Sequence, residues 1–211
     1  MRAADARNTP APSRSACASP GGEDRKPACG AGGRDGSPWG MDQLVSERLV
    51  LVALDAARAL GVLAGVPERG CPWAQGYPGD GDRAGARRYL RVLAESGDPA
   101  PFGAYEIRRR GDGLIIGGAG FHGPADAAGV VTVGYGLVPG ARGRGYAAEA
   151  LRTLLEHARA HGAAGAAGDA DRENSASHRV MAAAGMRLVA EDERLRYYAV
   201  TWAGAPEAAS S

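Results

Sequence analysis

The chain has 211 residues, 45% of them hydrophobic, and a formal net charge of +1. That is enough for one domain of ordinary size with a real core. The near balance of charge argues against a nucleic-acid-binding face as the main feature, no apolar run approaches the roughly 18 residues of a membrane span, and the N-terminus lacks the apolar stretch of a signal peptide.

Residues 2–40 contain no Leu, Ile, Val or Phe and are rich in Pro, Gly, Ser and Arg. Such a segment buries too little apolar area to offset its ordering entropy, so a disordered tail is expected over 1–40. Met41 opens the first apolar run and is a candidate translation start; a genuine flexible tail is the alternative. The folded domain is expected over 41–203, with a frayed tail over 204–211. Cys17, Cys29 and Cys71 match no metal-ligand spacing, and their odd count makes a poor disulfide framework. No metal is expected, and a reducing cytoplasm is the simplest setting. Lys26 is the only lysine, while Ala, Gly, Arg and Pro abound, so a single Gly or Arg has to be judged by its position.

From Arg48 onward the hydrophobic pattern alternates between strand and helix periods. "RLVLVAL" is a strand. "DAARALGVLAG" is a helix with Asp55 as cap and Gly65 as stop. A Pro/Gly-rich loop, 66–81, leads to "DRAGARRYLRVLAES", where Ala86, Tyr89, Leu90 and Leu93 recur at helical spacing. "FGAYEIRRR" and "GLIIGGAGFHG" flank the turn "GDG" as a hairpin. "GVVTVGYGLVP" is a strand closed by Pro139. An amphipathic helix follows, with Tyr146, Ala147, Ala150, Leu151, Leu154, Leu155 and Ala158 on one stripe and Gly162 at its end. "AAGAAGDAD" is a strand by alternation of elements, despite a composition poor for one. "NSASHRVMAAAG" is a short helix with Asn174 near its cap. "MRLVAE" and "LRYYAVTW" close the chain as strands. His157, His161 and His178 read as exposed, and Arg108 to Arg110 as a charged hairpin tip.

The informative stretch is "GARGRGYAAEA", 140–150. A strand ends at Pro139 and a helix begins near Arg144. The first turn of a helix leaves N–H groups unpaired and carries partial positive charge. Gly143 and Gly145 let a ligand approach the backbone, and Arg142 and Arg144 add charge that can meet phosphate. Together they form a pyrophosphate cradle. A Walker loop is excluded because no lysine follows. A dinucleotide fingerprint matches formally as Gly143-x-Gly145-x-x-Ala148, and would predict a parallel sheet and dinucleotide binding.

"ARGRGYA" also resembles the Arg/Gln-x-x-Gly-x-Gly/Ala motif of the GNAT acetyltransferases, through Arg142, Gly145 and Ala147. "VGYGLVPGARGRGYAAEAL" and "DRENSASHRVMAAAGMRL" resemble the branch of ribosomal-protein-alanine N-acetyltransferases, as does the opening "SERLVLVALD". The resemblance runs from about Leu44 to Trp202. It implies an α/β (α+β) fold, a mixed, mostly antiparallel sheet of six to seven strands with helices on both faces. The family's fourth and fifth strands splay apart, and acetyl-coenzyme A enters the gap as acyl donor. Its pantetheine arm would pair with the backbone near Leu137 and Val138. Its pyrophosphate would take N–H bonds from Gly143, Arg144, Gly145, Tyr146 and Ala147, and Asn174 and Ser177 match an Asn-x-x-Ser on the pantetheine side.

The implied reaction is direct attack of an amine on a thioester, in a monomer or homodimer that needs neither nucleic acid nor membrane. The acceptor would be a protein N-terminus or a small molecule. An amine is mostly protonated at neutral pH, so a base must take a proton, a donor must meet the leaving thiolate, and the oxyanion needs an N–H. Here the chain departs from the family. Thr132 stands where many relatives carry an acidic residue, and Met181 where many carry a tyrosine. Ser177 is the remaining donor, and Glu106, His122 and Glu149 are the base candidates. Each has a plainer reading: a solvated carboxylate at Glu106, a loop histidine at His122, a helix-dipole partner at Glu149. These departures keep a second reading open, a catalytically degenerate domain that binds acyl-coenzyme A as a sensor or partner module.

Overall fold

The computed structural model describes residues 43–68 and 70–202. The expectations for 1–40, Met41 and 204–211 fall outside those residues. Strands β1 (Gln43–Val45), β2 (Leu49–Ala53), β3 (Ala104–Arg109), β4 (Ile115–Phe121), β5 (Val130–Leu137), β6 (Gly165–Asp171), β7 (Arg187–Glu191) and β8 (Leu195–Thr201) alternate with helices α1 (Ala56–Ala64), α2 (Asp80–Ser96), α3 (Tyr146–Ala160) and α4 (Ser175–Ala183). The strands form one sheet in the order β1-β2-β3-β4-β5-β6-β8-β7. Seven strands were legible in the sequence, β6 only through the alternation of elements; the eighth is β1, too short to alternate. Ser46 and Arg48 turn the chain between β1 and β2, and Val45 pairs with Val50.

Every strand pair among the described strands is antiparallel except β5 with β6. That rules out the doubly wound parallel sheet which the dinucleotide fingerprint would require. Helix ends form where the sequence places caps. The Asp55 carboxylate accepts the Arg58 N–H at 2.7 Å, and α1 stops at Gly65 in the left-handed region, φ 71. Asn174 accepts the Ser177 N–H at 3.1 Å and opens α4.

The sheet's two faces divide the work. Leu51 and Ile107 are cross-strand partners and fully buried. They belong to one hydrophobic core with Leu151 and Leu154 of α3, each such burial contributing about 1.5–3 kcal/mol. On the opposite face α2 packs over β3, β4 and β5. Cross-strand neighbours share a face. Glu106, Gly118 and Gly136 therefore point to the α2 side together, as do Gly120 and Gly134.

Several polar residues sit deeper than their sequence context suggests. Glu106 is buried, not solvated: it accepts from the Tyr77 hydroxyl at 3.2 Å and faces Arg58 at 3.5 Å. Arg108 is buried, whereas Arg109 is half-buried and Arg110 exposed. His178 is buried and stacks on Tyr198, and His157 is half-buried against Tyr105 and Phe121. Only His161 of the three is exposed. Cys71 is buried, its sulfur accepting from the Arg108 guanidinium at 3.6 Å.

Candidate active site

The site begins with a broken ladder. β5 and β6 pair only from Val130↔Gly165 to Thr132↔Ala167, after which they diverge. The divergence exposes one edge of β5. His122 donates its N–H to the Thr132 carbonyl, and Val138 donates to the Ile116 carbonyl. Backbone groups alternate sides along a strand. Thr132, Gly134, Gly136 and Val138 therefore turn theirs toward β4, and Val133, Tyr135 and Leu137 turn theirs toward the gap. Leu137 thus faces the gap, and Val138 faces β4. Its N–H goes to Ile116, and its carbonyl accepts from Ala141 at 3.0 Å. Tyr135 is the gap-facing residue that sequence reasoning missed; the strand parity was the signal for it.

At the end of the gap lies 140–150. A single 3-10 turn, Pro139–Ala141, separates β5 from the loop. Gly143 and Gly145 hold φ of 73 and 80, the left-handed region that favours glycine. Gly145 caps α3 without any side-chain bond. The N–H groups of Gly143, Arg144 and Gly145 have no backbone partner among the described residues. Tyr146 and Ala147 belong to the first helical turn, whose N–H groups lack intrahelical acceptors. A concave row of donors at a helix N-terminus suits an anion.

Glu149 braces this loop. Its carboxylate accepts from the Ser46 hydroxyl, the Arg48 N–H and Arg48 Nε, each at 2.7 Å. Arg48 in turn donates to the Arg144 carbonyl at 3.0 Å and lies over the Tyr146 ring. Burial alone would raise the Glu149 pKa; the bonds from Arg48 and Ser46 outweigh it and hold it below the ordinary value. Glu149 is thus a clamp between the β1–β2 turn and α3. Arg142 does not point at the anion loop: its Nε donates to the Leu137 carbonyl at 2.9 Å.

On the α2 side of β4 and β5 lies a cleft of ≈ 270 Å³. Its floor includes Gly118, Gly120, Gly134 and Gly136. A side chain at Gly136 would point into open space, one at Gly134 would come within 2.7 Å of His122 Nε2, and one at Gly118 within 2.9 Å of Asp82 Oδ1. Glycine therefore keeps this floor free and seats both groups against it. His122 lines the cleft. Burial lowers its pKa, with Arg88 acting the same way and Asp169 opposing. The shift favours the neutral imidazole, which has a nitrogen lone pair available.

Asp82 is the carboxylate that sequence reasoning missed. Oδ2 accepts the Gly79 N–H at 2.8 Å, in the manner of a capping box. That N-terminal signature was readable; its position over β4 was not. Burial raises its pKa, partly countered by the Gly79 and Gly118 N–H groups and by Arg83. Tyr77 also lines the cleft, and its hydroxyl links it to the buried Glu106, whose pKa burial raises against the pull of Arg58. Glu106 itself stands behind Tyr77 and does not line the cleft.

Two donors lie where the gap meets α4. Ser177 is half-buried in the first turn of the helix. The Tyr135 hydroxyl donates to the Ser177 carbonyl at 3.1 Å, spanning from β5 to α4. Burial raises the Tyr135 pKa, so it remains protonated. Asn174 is occupied by its capping bond, and Met181 is buried in the core.

A splayed strand pair, a donor-lined loop at the far end of the gap and a cleft behind it define an acyl-transferase architecture. A family model described as an acetyltransferase (GNAT) domain matches residues 48–187, and the chain belongs to this family. Solved structures agree on the fold. An acetyltransferase from Agrobacterium tumefaciens is 24% identical with a TM-score of 0.55, over 81% of this chain and 100% of that one. A ribosomal-protein-S5-alanine acetyltransferase from Vibrio fischeri is 14% identical with a TM-score of 0.58, over 79% and 100%. The ribosomal L7/L12 α-N-protein acetyltransferase RimL, solved with coenzyme A, is 15% identical with a TM-score of 0.56, over 76% and 98%. No curated protein matches by sequence. Among the described residues no helix is long and apolar enough to cross a membrane.

Proposed function

We propose that this chain transfers the acetyl group of acetyl-coenzyme A to the primary amine of a protein N-terminus or small molecule. The observation that carries the reading is the juxtaposition of the β5–β6 gap with the donor-lined loop 143–147. The gap offers backbone pairing to an extended pantetheine arm, and the loop offers N–H groups to its pyrophosphate. The cleft behind β5 admits the acceptor from the other side.

The chemistry follows from the groups present. The amine nitrogen attacks the thioester carbonyl, forming the C–N bond. The oxyanion takes a hydrogen bond from a gap-facing N–H, that of Tyr135 or Leu137. His122, neutral and beside Thr132, receives the amine proton, directly or through water. It thereby stands in for the acidic residue that many relatives carry at Thr132. Collapse of the intermediate breaks the C–S bond, and the thiolate takes a proton from the Tyr135 or Ser177 hydroxyl. Glu106 acts through Tyr77 at most, and Glu149 holds the loop.

Calorimetric titration of the full chain with acetyl-coenzyme A, with NAD as control, tests the first half. Binding of acetyl-coenzyme A alone supports the cradle; preference for NAD overturns it. Turnover against a panel of amines tests the second half. Binding without turnover would favour the degenerate, sensor-like domain.

A further inference from the structure

The acceptor cleft carries very little charge. Among the residues lining it, Asp82 is the only carboxylate and Arg88 the only guanidinium. The rest is glycine, alanine, aromatic or aliphatic, with His122 between. The two charges do not neutralise each other. Asp82 lies against Gly118. Arg88 is felt by His122, whose ring lies over Gly134. Asp82 and Arg88 are about 9 Å apart along the α2 axis, at about 1.5 Å per residue. The His122 ring lies over Gly134, whose cross-strand partner Gly120 is two residues, about 7 Å, from Gly118.

Their local bonding differs. Asp82 is held in place by N–H donors and retains acceptor capacity, since a carboxylate offers about four lone-pair directions. Arg88 has no hydrogen bond or ion pair with any described residue, although it is half-buried. Two other arginines near the cleft are committed: Arg58 to Glu68 and Glu106, Arg83 to the Val62 and Leu63 carbonyls. A guanidinium partly withdrawn from water with no partner carries an uncompensated desolvation cost. An anion brought in by a ligand would remove that cost, and a guanidinium fork matches a carboxylate or a phosphate.

We infer that the acceptor is a small molecule bearing both an amine and an anionic group, its ammonium received by Asp82 and its anion by Arg88. This rests on the acyl-transfer reading above and narrows its acceptor. The amine end lies over the Gly134–Gly136 floor, beside the gap-facing backbone of Tyr135. His122, over Gly134 and so between the two ends, takes through water the proton released on C–N bond formation. The anionic end lies under the third turn of α2. A polycation would set a positive charge against Arg88.

The test is acetyl transfer by the full chain to matched acceptors of equal length. These are ω-amino carboxylates, aminoalkyl phosphates, plain alkylamines and α,ω-diamines, each as a length series. The expected result is a kcat/KM for one of the anionic series about tenfold or more above the alkylamine, the scale of one charge-assisted hydrogen bond. The diamine should fall below the alkylamine. Whichever anionic series leads identifies the anion. Arg88→Gln should reduce the anionic-over-alkylamine ratio about tenfold, and Arg88→Lys should restore part of it. Equal or better use of alkylamines or diamines by the wild-type protein would overturn the inference while leaving acetyl transfer intact. So would an unchanged ratio in Arg88→Gln. Absence of transfer to every amine would instead remove the acyl-transfer reading, and this inference with it.

Discussion

His122 and Glu149 were both base candidates from the sequence, and the structure separates them by what surrounds each carboxylate or imidazole. His122 lines a cleft and accepts nothing that would occupy its free nitrogen. Its pKa is depressed, so the neutral, proton-accepting form persists below the ordinary histidine value of about 6.5. The acid limb of kcat/KM is therefore expected below that pH. Arg88→Gln removes one depressing charge and should move the limb upward. His122→Asn should lower kcat by about 10²–10⁴-fold, the usual range for general base catalysis, and abolish the limb. A pH–rate profile of the three proteins checks all of this. Glu149, by contrast, has three donors on its carboxylate. Glu149→Gln should destabilise the fold by about 1–3 kcal/mol, discounted at the lower end because Arg48 is partly exposed. The folded-state pKa of Glu149 is depressed, so its contribution is present above the unfolded value of about 4.3 and is lost as pH falls through the folded one. The stability gap between wild type and Glu149→Gln should narrow in acid, which denaturation curves at neutral and acid pH would show.

At the scale of elements, the loop before α3 and the strand β6 show two uses of glycine. Gly145 needs a left-handed φ, and a Cβ there would come within 3.3 Å of the Arg48 guanidinium. Gly145→Val should weaken acetyl-coenzyme A binding by tenfold or more, read by calorimetry; unchanged affinity would remove the loop from the site. A left-handed β-branched residue also strains the backbone by about 1–2 kcal/mol, which is read separately as a lower Tm of the ligand-free protein. β6 had the composition least suited to a strand. The reason is tertiary: a Cβ at Gly165 would come within 2.6 Å of the Val200 carbonyl, and one at Gly168 would press on Val133 and Met181. Propensity favours bulky β-branched residues in strands, but close packing of β6 under α4 admits only small ones. The helices were more legible, because α1, α3 and α4 each carry both an apolar stripe and a cap or stop that act locally.

Across the whole molecule, a ligand that binds only the folded state adds stability by mass action. Acetyl-coenzyme A at a hundred times its Kd should stabilise the chain by about 2.7 kcal/mol, visible as a rise in Tm, whereas NAD should leave Tm unchanged. The mostly antiparallel sheet stands against dinucleotide binding and agrees with that expectation. Element order, the helix caps and the anion loop were all written locally: each depends on residues within a few positions of one another, through periodicity, capping or φ. The burial of Glu106, Arg108 and His178 was not, because a charged residue in a strand or helix reads as solvated until its distant partner is known. The same holds for the committed backbone of Val138, which depends on strand parity against β4. The cleft is the clearest case. Asp82 and Arg88 come from α2, His122 from the end of β4 and the glycine floor from two strands, and only packing α2 across β4 and β5 brings these separated groups to one place.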